Sequence, residues 1–149
     1  NLEGGKPPQV DEEKIKARWK FIQELYKEKL VKANHDVNKG GFLITISEMC
    51  FKNKLGANLD FNGIYTSDIR VAEFLFSESV GRFIVETESK HYNKIIELAN
   101  NYNIDVKKIG TLISEPKINI KGLQDDSFSL DVSEMEKLHR STIPDLMDI

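Results

Sequence analysis

The sequence predicts an α/β (α+β) domain: a layered, mixed β-sheet packed with helices, closest in simple topology to a ferredoxin-like arrangement. Two observations carry that expectation. Segments with apolar residues at three- and four-residue steps alternate with short β-rich segments. The later strands cluster, and strand spacing is too irregular for a repeating parallel βαβ series.

The opening "NLEGGKPPQ", with two glycines and two prolines, reads as a lead-in or linker over residues 1–10, ahead of a domain spanning 11–149. Asp11 is placed to cap a helix, with Glu12 and Glu13 in the dipole-favoured first turn. Ile15, Trp19, Ile22, Tyr26 and Leu30 then form an apolar stripe that predicts a helix over 12–32. Lys32 to Val37 is extended, and Phe42, Ile46, Met49 and Cys50 predict a helix to about Lys52. "LGANLDF" reads as a strand and "TSDIRVAEFLF" as a short helix from Thr66 or Ser67. "GRFIVET", apolar on both sides, suits a central strand.

Ser89 is the expected cap of a helix with Tyr92, Ile95, Ile96 and Ala99 inward, fading at "NNYN". "VKKIGTLI" and "KINIKG", separated by "SEP", read as a hairpin-like pair near the sheet edge. "DDSFSLDV" adds a short strand. Ser133 and Glu136 match a capping box for a short last helix, 133–140, stopped by Pro144.

The 149-residue length suits one domain with a real core. Apolar residues at 40% and charged residues at 30% place the chain among globular proteins. No stretch is apolar enough to span a bilayer, and no signal-peptide pattern opens the chain, so no membrane role and a cytoplasmic location are expected. The start at Asn rather than Met reads as a processed chain or a fragment. A net charge of −3 argues against nucleic-acid binding. The charge is uneven, with seven acids against two bases from Leu123 onward and eight bases against six acids in the first 32 residues. One cysteine, Cys50, excludes a disulfide framework and multi-cysteine metal motifs, and reads as a small buried hydrophobe.

Two clusters can carry chemistry. In "NHDVNKGGF" paired glycines let the backbone turn sharply ahead of a helix whose free amides attract anions. There Lys39, Gly40 and Gly41 suit a phosphate, while His35 and Asp36 can donate, accept or ligate. The same residues equally suit a turn that merely starts a helix. In "LFSESVGRF", Ser77 and Ser79 can bond ribose or phosphate oxygens, Glu78 a ribose diol, and Arg82 a phosphate in bidentate fashion. The alternative is a self-satisfied turn in which Glu78 pairs with Arg82. His91 and His139 are expected to face solvent. No Walker loop or nucleophile elbow is present, so catalysis within this domain is not expected, nor is a metal site.

Taken in order, "ANHDVNKGGFLITISEMCFKNKLGANLDF", "FLFSESVGRFIVE", "IGTLISEPKINI" and "FSLDVSEMEKLHRSTIPDLM" resemble the C-terminal part of the large (synthetase) subunit of phosphoribosylformylglycinamidine synthases. The resemblance runs over nearly the whole chain. It implies the last of four domains of a purine-biosynthesis ligase. That ligase converts formylglycinamide ribonucleotide to the amidine with ATP, magnesium and ammonia from a glutaminase subunit. The implied partners are the sister domains, the glutaminase subunit and a small accessory subunit. None of the family's catalytic histidine or magnesium carboxylates falls in this domain, so the domain alone is expected to bind no cofactor and to be inactive. Ser77, Glu78 and Ser79 match a substrate-holding S-E-S motif in its second copy, which can be degenerate. The family pattern H-D-V-S-D-G-G is here "HDVNKGG", so Asn38 and Lys39 exchange a negative charge for a positive one. Alternatives are the C-terminal domain of an aminoimidazole ribonucleotide synthase or thiamin monophosphate kinase, or a free-standing ligand-binding module.

Overall fold

The computed structural model describes residues 10–124 and 126–147. In chain order the elements are α1 (Glu12–Lys27), β1 (Ala33–Asp36), α2 (Gly41–Phe51), β2 (Gly56–Asp60), α3 (Val71–Phe76) and β3 (Phe83–Glu86). A 3₁₀ turn (Ser89–His91) leads into α4 (Tyr92–Asn101), followed by β4 (Gly110–Ile113), β5 (Lys117–Leu123), β6 (Asp126–Asp131) and α5 (Val132–Met147). The chain divides into two compact units. One holds the described residues up to Asn38 together with Glu78–Val106, the other Lys39–Ser77 with the described residues from Lys107 onward. Residues 1–9 of the expected lead-in lie outside the described residues.

The first unit packs α1 and α4 around Phe21, Leu25, Leu30, Ile95 and Ala99, with Val85 of β3, Tyr102, Ile104 and Val106 against them. α1 carries two apolar stripes, and the core takes the one through Phe21 and Leu25. Trp19 and Tyr26, on the stripe expected to be inward, are 61% and 49% exposed. α1 also stops at Lys27 rather than at 32. Lys29 takes φ +55°, its N–H donates to the Tyr26 carbonyl (3.0 Å), and the Leu30 N–H donates to the Leu25 carbonyl (2.9 Å). That double bond is a Schellman closure, which drops its trailing apolar residue onto the helix. Leu30 therefore keeps the helical spacing and the burial without being helical. α4 ends in the same way, with Asn103 at φ +52° and the Ile104 N–H on the Ala99 carbonyl (2.9 Å). Ser89 does not cap α4, because it sits inside the preceding 3₁₀ turn.

β3 is not a central strand among the described residues. It pairs only with β1, antiparallel, in a two-stranded sheet. Past its end Glu88 bridges Lys32 (2.9 Å) and Lys90 (2.7 Å).

The second unit is built on a four-stranded mixed sheet, order β4-β2-β5-β6, in which β2 and β5 are parallel and both edge pairs antiparallel. The α/β class and the mixed sheet are as expected. The central parallel pair between antiparallel edges shares its strand directions with a ferredoxin-like sheet. The strands nevertheless divide between two sheets, and β4 and β5 are not a hairpin, because β2 lies between them. Ile118, Ile120 and Leu123 of β5 are buried, as the interior position requires.

α2 buries Leu43, Ile46, Cys50 and Phe51, and also Thr45 and Ser47, so it is enclosed nearly all round. Those two hydroxyls satisfy themselves by donating to the Gly41 (2.9 Å) and Leu43 (2.6 Å) carbonyls one turn back. α3 begins at Val71, later than Thr66 or Ser67, because the Arg70 N–H is held by the Glu73 carboxylate (3.0 Å). α5 runs past the expected 133–140. Asp131, not Ser133, caps it, accepting from the Ser133 (2.8 Å) and Glu134 (2.9 Å) amides. Glu136 instead pairs with Lys54 and Arg140. Pro144 lies inside the helix, where it removes the one donor to the Arg140 carbonyl but does not end the element.

Leu25→Ala is expected to lower stability by about 2–5 kcal/mol, and Trp19→Ala by no more than about 0.5 kcal/mol, in denaturant melts. Equal losses would place the core on the other stripe. The two lysines hold the Glu88 carboxyl down to about 2, from its usual 4.5, chiefly through hydrogen bonds from Lys90 and then Lys32. A depressed carboxyl stabilises the fold above its unfolded pKa, and that share is lost as pH falls from about 4.5 through about 2. NMR titration should therefore find Glu88 protonating near 2, and Lys90→Met should raise that midpoint.

Candidate binding pocket

The pairing of β1 with β3 joins the two polar motifs, about forty residues apart in the sequence. His35 lies opposite Ile84 and Asp36 opposite Phe83, and the Val37 N–H continues the ladder to the Arg82 carbonyl (2.9 Å). The loop entering β3 is pinned from α1, where Arg18 Nη1 donates to the Gly81 carbonyl (3.1 Å). Gly81 has φ +81°, and a Cβ there would stand 2.9 Å from that guanidinium nitrogen.

A pocket of about 560 Å³ opens in the first unit, lined by Trp19, Asn34, His35, Asp36, Val37, Asn38, Glu78, Val80, Gly81 and Phe83. Alternation along the strands puts Asn34 and Asp36 on one face of β1 and His35 on the other. The face of Asn34 is that of its partner Val85, which packs on the helical core. His35 Nδ1 lies 2.7 Å from the Asp36 carbonyl oxygen and donates to it. Asn38 Nδ2 donates to Asp36 Oδ2 (3.1 Å). Asn34 Oδ1 is buried with no hydrogen-bond partner among the described residues. Such an acceptor is costly to leave unmet. Arg82 Nε donates to the Ser79 carbonyl (3.3 Å), and burial pushes the guanidinium pKa down from its ordinary value.

Of the nine residues singled out in the sequence, His35, Asp36 and Glu78 line this pocket, and Ser79 and Arg82 belong to the same unit. Lys39, Gly40, Gly41 and Ser77 belong to the second unit. There Gly40, at φ +78°, is the N-cap of α2 and supplies no side-chain cap. Gly41, at φ +70°, meets the end of α3 so closely that a Cβ would lie 2.5 Å from the Phe76 carbonyl carbon. The glycine pair thus has a packing reason of its own. Ser77 is the C-cap of α3, its N–H on the Glu73 carbonyl (3.0 Å), and Lys39 is exposed.

Sequence reasoning missed Trp19 and Asn34. The available signal for Trp19 was the second stripe through Phe21 and Leu25, since a helix with two apolar stripes exposes one of them. Nothing in the sequence marked Asn34. No lysine or arginine lines the pocket, and among the described residues no group of three or more His, Cys, Asp or Glu side chains converges on one point. The pocket residues therefore do not fit ATP with magnesium.

Residues 1–122 match the family described as AIR synthase related protein, C-terminal domain, and the chain belongs to that family. Over 147 residues, 99% of its length, it is 31% identical to the phosphoribosylformylglycinamidine synthase subunit PurL of Methanocaldococcus jannaschii, of which it spans 19%. It is similar to a structure of Thermotoga maritima PurL complexed with ATP, with a TM-score of 0.71 at 26% identity, covering 79% of this chain and 21% of that one. It is likewise similar to the structure of PurLQS from Thermotoga maritima, with a TM-score of 0.75 at 26% identity, covering 83% and 21%. These relatives are those to which the sequence motifs point. The chain spans about a fifth of their length.

Gly41→Ala is expected to cost about 2–4 kcal/mol, since a strained φ combines with a backbone clash. Gly81→Ala should cost only about 1–2 kcal/mol, because the Arg18 side chain can move aside. Denaturant midpoints check the order; the reverse order would deny that Gly41 is fixed by α3.

Proposed function

We propose that this chain serves as a C-terminal domain of a phosphoribosylformylglycinamidine synthase large subunit. That enzyme class converts formylglycinamide ribonucleotide to formylglycinamidine ribonucleotide with ATP, magnesium and glutamine-derived ammonia. One observation carries the reading: 99% of the chain aligns at 31% identity within a PurL subunit about five times its length. In this reading the domain works with the sister domains of its subunit and with glutaminase and small accessory subunits in the cytoplasm. A PurLQS assembly among the similar structures supports the multi-subunit setting.

The domain supplies surface rather than chemistry. This pocket offers no cationic side chain for a triphosphate, and in this reading nucleotide and metal are held by other parts of the enzyme. Lys39 with Gly40 and Gly41, ahead of α2, forms an anion-facing turn within that larger assembly.

The 149-residue chain alone, given formylglycinamide ribonucleotide, ATP, magnesium and ammonia, should release neither ADP nor amidine above background in a coupled assay. Saturable turnover by the purified chain, lost with heat denaturation, would contradict the proposal.

A further inference from the structure

The charge at the pocket is one-sided. Two carboxylates, Asp36 and Glu78, line it, and no lysine or arginine does. One N–H of the Asn38 amide goes to Asp36 Oδ2, and Arg18 Nη1 donates to the Gly81 carbonyl. A phosphate or carboxylate meets like charge among the lining side chains with no lysine or arginine to offset it. A positively charged ligand rich in N–H donors meets the opposite.

The walls narrow the choice further. Trp19 presents an indole that is 61% exposed, with Val80 at 54% and Phe83 beside it. An indole face attracts cations and stacks best with a flat one. A guanidinium combines planarity, charge and a fork of five N–H donors suited to a carboxylate. An ammonium has the charge alone. The volume of about 560 Å³ admits the group with the chain that bears it.

We propose that this pocket binds a guanidinium group, stacked on Trp19 and paired with Asp36. The inference goes beyond the synthetase reading and does not depend on it. The guanidinium can belong to a small molecule or to an arginine of a polypeptide that docks here.

Trp19 is the only tryptophan in the chain and reports on the pocket directly. Its emission is followed during titration with methylguanidinium chloride against potassium chloride at equal ionic strength, with far-UV circular dichroism held constant. A saturable change is expected, about tenfold weaker in Asp36→Asn. n-Butylammonium should bind several-fold more weakly, and inorganic phosphate should have no effect. Because Asp36→Asn can disturb its own loop, the Asn34 side-chain amide resonance is followed in the unsubstituted chain and should move with methylguanidinium. Tighter binding of acetyl-Gly-Arg-Gly-amide than of methylguanidinium supports a polypeptide source, and equal binding a small molecule. The proposal is overturned by a response to phosphate in place of methylguanidinium, by equal response to butylammonium, by Asp36→Asn binding unchanged, or by no response at all.

Discussion

The antiparallel pairing of Ala33–Asp36 with Phe83–Glu86 is the constraint on which the candidate site depends. Without it, the His-Asp motif and the Ser-Glu-Ser motif are two polar turns about forty residues apart. With it, Asp36 faces Phe83, Val37 bonds to Arg82, and the loop before β3 must return beside β1. A two-stranded sheet is weak by itself. Here Val85 is held by the Phe21–Leu25 core and Gly81 by Arg18, so α1 supports both strand and loop. The same helix then offers Trp19 to the pocket. Fold and site share one element.

The "NHDVNKGGF" motif splits into two jobs. Its first half, Asn34 to Asn38, belongs to the strand and the pocket rim. Its second half, Lys39 to Gly41, belongs to the start of α2, where backbone from α3 occupies the space of a side chain. Paired glycines are read as phosphate cradles because they permit close approach of a ligand. In this chain the thing that approaches Gly41 is Phe76. A packing demand and a binding role are compatible at one glycine, but the first is sufficient to require it.

What the sequence made legible was periodicity, and what it hid was the choice among periodicities. α2, β2, β6 and the core of α4 fall where apolar spacing puts them, and Cys50 is buried as a small hydrophobe. α1 misleads because Leu30 continues the helical spacing through a Schellman closure, and because two stripes compete for one core. α5 misleads because Pro144 near a helix end costs one hydrogen bond, too little to stop the element. The pairing of β4 with β2, not with β5, depends on long-range register that no local pattern encodes. Within the site, His35, Asp36 and Glu78 were readable as polar residues in punctuated loops. Trp19 and Asn34 were not, since their roles arise only when α1, β1 and β3 meet. The family is legible in motif order over nearly the whole chain, a signal independent of these local features.

Native-state hydrogen exchange at the Val37 amide tests the central claim most directly, because that one N–H joins the two motifs through the Arg82 carbonyl. Exchange there is expected to be slowed together with that of the Lys32 amide, which donates to Glu86 at the other end of the same ladder. Exchange at Val37 as fast as in an unstructured peptide, with Lys32 protected, would contradict it.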